Sequence, residues 1–181
     1  MLRTVRINNS NANDAELRHL YTTAFPEEEQ IPYDDLVSLL DSMDIDYAAY
    51  YENEMLVGLT MVLRLPHYNW GWYFAVRKEL RGKGYGQGIL TAVLDKYCGE
   101  NPFVIDIESP LQPDAPNPEQ RKRRHAFYLR NGLKDTGTNR SYNDITFTIL
   151  SSSDKPFTQD DYDEIVTALR TAWENMPGRG E

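Results

Sequence analysis

Cysteine is all but absent from this chain of 181 residues. Cys98 stands alone, so no intramolecular disulfide can form and a reducing compartment is expected. Among apolar neighbours such as Val93, Leu94 and Tyr97 it reads as a small buried hydrophobe, with an acyl-carrying nucleophile as the other reading. Histidine is scarce too: His19, His67 and His125 share no spacing that ligation on one element requires, so no metal site is expected. No apolar run approaches membrane-spanning length, and residues 1 to 7 alternate like a strand instead of forming the apolar core of a signal peptide. A cytoplasmic location follows as an expectation. Basic residues are outnumbered 19 to 28, and the net charge of -9 disfavours nucleic acid and anionic membranes while favouring cationic partners, an amine-bearing molecule among them.

What is present is an ordinary globular balance, 40% hydrophobic and 26% charged, enough for one domain with a sizeable core. Leu2 to Ile7 alternate as a strand, and Asn13 or Asp14 can cap a helix through Leu17, Leu20, Tyr21 and Ala24, ended by Pro26. A loop over 25 to 32 leads to a second helix through Leu36, Val37, Leu39 and Leu40. Ile45 to Tyr51 and Met55 to Leu65 read as a hairpin about Glu52-Asn53-Glu54. Asn69 to Val76 is a strand expected to carry Trp70, Trp72 and Phe74 on one face and Tyr73 on the other. A helix over 84 to 97, a strand over 103 to 108, a proline-rich loop and a helix over 119 to 130 follow, the last stopped by Asn131-Gly132. Two antiparallel strands, 133 to 140 and 144 to 150, precede a final helix capped by Thr158 and Asp161, with Tyr162, Ile165, Val166, Leu169 and Trp173 along one stripe. That stripe requires cover, from its own chain or from a partner subunit in a homodimer. The order is that of an α+β domain, a mixed and mostly antiparallel sheet flanked by helices with an extra C-terminal helix.

The densest signal is Val76-Arg-Lys-Glu-Leu-Arg81-Gly82-Lys83-Gly84-Tyr85-Gly86-Gln-Gly88, where a strand enters a glycine-rich turn that opens a helix. Glycines reach positive φ and have no Cβ, so successive amides can converge on an anion where the helix N-terminus is partially positive. A dinucleotide fingerprint needs glycine at position 89, which is Ile89, and a P-loop needs Ser or Thr after its lysine, where Lys83 is followed by Gly84. Arg81-x-x-Gly84-x-Gly86 instead resembles the pyrophosphate motif of the GNAT superfamily, the acetyl-CoA-dependent N-acyltransferases. Phe127-Tyr128-Leu-Arg-Asn-Gly132-Leu133 resembles that family's second segment, with Leu133 in place of its Phe. The motifs span about Trp70 to Leu133, and the element order extends the likeness to about Leu150, leaving 151–181 as a helical extension of a 1–150 domain.

The resemblance implies direct attack of a primary amine, of a small molecule or a peptide, on the thioester of acetyl-CoA in a ternary complex. It places the pantetheine along Phe74, Ala75 and Val76, and the pyrophosphate on the amides from Arg81 to Gly86, Gly82, Lys83, Gly84 and Tyr85 included. An amide near Ala75 or Val76 is expected to polarise the thioester carbonyl. Tyr128 takes the role of general acid toward the thiolate, with simple packing as the other reading. Val104, Asp106 and Glu108 share one strand face, and Glu108, at its end, is the leading candidate for the base; a solvated face is the alternative. Glu27, Glu28 and Glu29 either bind the ammonium group or are exposed helix-start acids, and Tyr33 and Tyr73 are expected to wall the same pocket. Family members carry Asn and Ala where this chain has Arg121 and Arg124, so the cation run 121 to 124 either meets the phosphates of coenzyme A or forms a solvated face. Rival readings are a non-catalytic acyl-CoA-binding regulatory module and a nucleotide-binding protein that uses the loop for another pyrophosphate.

Overall fold

A computed structural model describes residues 2–97, 99 and 101–176, without the side chain of Glu28; the expectation for Cys98 lies outside the described residues. Seven strands form one sheet in the order β1-β2-β3-β4-β5-β7-β6. They are β1 (Arg3–Ile7), β2 (Ile45–Glu52), β3 (Met55–Arg64), β4 (Asn69–Val76), β5 (Phe103–Glu108), β6 (Lys134–Tyr142) and β7 (Ile145–Ser151). Every pairing is antiparallel except β4 with β5. The helices are α1 (Ala15–Ala24), α2 (Tyr33–Ser42), α3 (Tyr85–Lys96), α4 (Pro118–Arg130) and α5 (Gln159–Glu174).

Local chemistry explains the ends. Asp14 Oδ1 accepts from the amides of Glu16 and Leu17 at 2.8 and 3.1 Å, satisfying donors that open the first turn of α1. Thr158 and Asp161 make a reciprocal capping box at α5, and Gly132 ends α4 at φ +95°. The eight interior residues of β3 are all buried, because helices cover both faces of the sheet's centre.

One apolar cluster lies between the sheet and α1, α2 and α5, and includes Leu17, Tyr21, Leu36, Met61, Tyr73 and Ile165. The other lies under α3 and α4 around Ile89, Leu90, Val93, Ile105 and Tyr128. Tyr162, Ile165, Leu169 and Trp173 cover the first cluster within the same chain, while Val166 remains exposed. A residue one step from Ile165 is rotated about 100° around the helix, which carries it off the buried side.

Strand β4 departs from the expected alternation. Met61 pairs with Tyr73 and Val62 with Gly71, so Trp72 is an extra residue without a partner, a β-bulge. The bulge shifts the phase: Trp70 joins Tyr73 and Ala75 in the first cluster, and Phe74 and Val76 pack on the second. The expectation of Trp70, Trp72 and Phe74 on one face is therefore corrected, since alternation fails across an inserted residue.

Candidate active site

The parallel strands β4 and β5 pair only from Asn69 with Phe103 to Gly71 with Ile105. Beyond that rung β4 continues to Val76 and β5 to Glu108 without pairing to each other, so a cleft opens between them. Gly71 sits at the last rung, where a Cβ would come within 2.5 Å of the Phe103 ring. On the other edge of β4 the Arg77 amide donates to Val57 O of β3 at 2.9 Å. Since backbone groups of alternate residues point the same way, those of Phe74 and Val76 face the cleft. Arg81 Nε donates to Val76 O at 3.1 Å and anchors the turn to this edge.

Gly82 and Gly84 adopt φ of +78° and +87°, and nothing lies within 4 Å of where their Cβ atoms would stand. Glycine is required there by backbone conformation, not by crowding. Gly84 caps α3 without any side-chain hydrogen bond, so the first amides of the helix, at Tyr85, Gly86 and Gln87, have no acceptor within it. Together with the positive helix end they form an anion cradle, flanked by exposed Arg81 and Lys83. A Cβ on Gly86 would lie 3.6 Å from both the Phe127 ring and Val76, so cradle, strand end and α4 meet at this point. The Tyr85 hydroxyl donates to the Glu52 carboxylate, which raises its phenol and commits that side chain to holding the turn.

Tyr128 of α4 packs against the end of β4. It is 4% exposed, with its ring edge-on to Phe74 at 6.2 Å and to Phe127 at 5.2 Å. Burial pushes its phenol above the ordinary range; Arg124 pulls it back and Asp106 pushes it further up. Among the described residues none hydrogen-bonds its hydroxyl. A phenol that stays protonated and keeps its donor unspent is suited to give a proton at neutral pH.

The family model of the acetyltransferase (GNAT) family matches residues 15–132, which contain the cleft, the cradle and Tyr128. The chain belongs to that family. No curated protein matches it in sequence. Among solved structures, a GNAT-family chain from Bacteroides thetaiotaomicron has a TM-score of 0.71 at 22% identity, covering 93% of this chain and 96% of that one. A GNAT acetyltransferase from Elizabethkingia anophelis with acetyl-CoA bound has a TM-score of 0.58 at 13% identity, over 83% and 96%. The ribosomal-protein-S18-alanine N-acetyltransferase of Escherichia coli has a TM-score of 0.61 at 12% identity, over 87% and 100%. At these identities the likeness is one of fold.

The acceptor-side expectations fare differently in this GNAT chain. Tyr33 and Tyr73 are buried with their hydroxyls engaged: that of Tyr33 donates to Ala12 O at 2.8 Å, and that of Tyr73 to Glu29 O at 2.9 Å. Both tie the helical layer to itself and to β4, because phenols packed into a core need acceptors. Glu27 is exposed on a short 3-10 turn over Glu27–Glu29. Glu108 is 12% exposed and is not a free carboxylate: Oε1 accepts from Arg121 Nη2 at 2.7 Å and Oε2 from Arg124 Nη1 at 3.1 Å. Asp106, on the same strand, is half-buried and paired with Arg140 of β6. The solvated-face reading of these acids therefore does not hold.

Arg121 is 2% exposed, with Nε on Asn117 Oδ1 and Nη1 on Gln112 Oε1, both at 2.8 Å. It is thereby withdrawn from the phosphate contact considered for the cation run. The double clamp on Glu108 is a feature that the residue pattern did not disclose. Its only trace in the sequence is the three-residue spacing of Arg121 and Arg124, which puts both on one side of a helix.

Proposed function

We propose that this GNAT chain transfers the acetyl group of acetyl-CoA to a primary amine of a small molecule or peptide by direct attack in a ternary complex. The observation that carries the reading is the meeting, at one cleft, of free amides at the start of α3, the unpaired edge of β4 and the unspent hydroxyl of Tyr128. The acetyl-CoA bound by the neighbour from Elizabethkingia anophelis supports the choice of donor, and the name of the Escherichia coli neighbour supports an amine acceptor.

In this reading the amides of residues 82–87 hold the pyrophosphate and the cleft-facing backbone of Phe74 and Val76 takes the pantetheine as an added strand. The Val76 amide faces the thioester carbonyl and stabilises the oxyanion. The amine nitrogen forms a bond to the carbonyl carbon, the carbon–sulfur bond breaks, and Tyr128 donates its proton to the sulfur. The proton released by the amine returns to solvent, from which Tyr128 is reprotonated, so acetyl-CoA and amine give free thiol and amide. Glu108 is assigned a holding role and not that of base, because each of its oxygens already accepts from a guanidinium.

Free-thiol release from acetyl-CoA over a panel of primary amines, beside calorimetry with acetyl-CoA and ATP, tests this. Turnover with at least one amine and binding of acetyl-CoA but not ATP is expected. Tight binding without release for any amine would leave an acyl-CoA-binding module instead of an enzyme.

A further inference from the structure

Arg121, Arg124 and Tyr128 follow one another at spacings of three and four on α4, so they line one side of the helix. The two arginines share Glu108, yet they differ in what remains to them. Arg121 donates to Glu108, Gln112 and Asn117, with Ser109 O at 3.5 Å, and so pins the 109–117 loop to the start of α4. Arg124 is 36% exposed, and among the described residues its bond to Glu108 is its one hydrogen bond, leaving Nε and Nη2 unspent.

The charges around Tyr128 do not cancel. From β5, Asp106 pairs with Arg140 of β6 yet still opposes Arg124 at the phenol; from α4 and β5, two guanidiniums share the one carboxylate of Glu108, which leaves one positive charge in excess on that side. The rings of Phe74 and Phe127 pack on Tyr128, while solvent screens part of the charge of Arg124.

We infer that Arg124, fixed by Glu108, is a positioning residue that eases proton delivery from Tyr128 by stabilising the negative charge shared between phenolate and departing thiolate. This rests on the acetyltransferase reading above. The sense of the field agrees with it, since Arg124 is the group that draws the buried phenol back toward its ordinary range. Glu108 then matters through the guanidinium it holds, not by accepting a proton from the amine.

The test reads kcat and KM by thiol release at saturating amine for the wild type, Arg124→Gln and Arg124→Lys. Each is also made with 3,5-difluorotyrosine, a more acidic phenol, in place of Tyr128. Arg124→Gln is expected to lower kcat about tenfold with KM for acetyl-CoA nearly unchanged. Arg124→Lys should recover part of the loss. Fluorination should restore most of the activity of Arg124→Gln while changing the wild type little, a rescue that a merely structural role would not show. An unchanged kcat with a raised KM would make Arg124 a cofactor-binding residue and overturn the inference, as would a loss that fluorination does not repair. Failure of the parent reading looks different: no thiol release by the wild type with any amine, or full activity of Tyr128→Phe.

Discussion

Tyr73 and Tyr128 are equally buried, each 4% exposed, on opposite faces of the sheet, and their surroundings could hardly differ more. The Tyr73 hydroxyl donates to Glu29 O and accepts from Tyr21, whose own hydroxyl bridges to Ile31. That phenol is spent on architecture. Tyr128 meets two aromatic rings and a nearby guanidinium, and its hydroxyl bonds no described residue. Burial raises both phenols, so burial alone does not tell a phenol committed to the fold from one left free. What separates them is whether the hydroxyl already has a partner within the protein, as that of Tyr73 does and that of Tyr128 among the described residues does not.

The largest expected effect breaks the pair apart. Tyr128→Phe should lower kcat roughly 10²–10⁴-fold while leaving urea stability within about 0.5 kcal/mol, because no hydrogen bond within the protein is lost. Tyr73→Phe should do the reverse, retaining turnover while losing about 1–3 kcal/mol in the same urea titration through the lost bonds to Glu29 O and Tyr21. Equal loss of activity in both variants would erase the distinction.

A third phenol sharpens it. Tyr97 and Lys96, at the C-terminal end of α3, both donate to Asp46 of β2. Burial alone pushes the Asp46 carboxyl up, but these bonds outweigh it and hold the group below the usual carboxylate range. A carboxyl depressed in the folded state stabilises the fold above its unfolded value of about 3.9 and ceases to do so as pH falls through the folded one. Asp46→Asn should therefore cost about 1–3 kcal/mol at pH 7, with the gap to wild type closing in acid, and leave kcat intact. Thermal melts across pH 3 to 7 read this directly.

The smallest effect concerns the cradle. Gly84→Ala meets no atom within 4 Å, so its cost is conformational, about 1–2 kcal/mol at positive φ. If the loop relaxes to relieve it, calorimetry should show acetyl-CoA binding weakened by about tenfold. Gly71→Ala, where the new Cβ strikes the Phe103 ring, should instead lower stability by about 1–3 kcal/mol.

Local chemistry by itself determined the helices and strands of this protein, the Asp14 and Thr158 caps and the two motifs around Gly84 and Tyr128. Each depends on neighbours a few residues apart: periodicity, capping side chains, glycines at positive φ. The tertiary structure alone decided the rest. One inserted residue at Trp72 reversed the faces of β4, because alternation holds only while every residue has a partner across the strands. Tyr33 and Tyr73 packed into the core with their hydroxyls engaged, and Glu108, the candidate base, met a pair of arginines, because their partners come from other elements, up to 44 residues distant. Side-chain type and spacing show what a residue is able to do; which groups reach it first, and so whether it remains free to do it, is settled only when the elements pack.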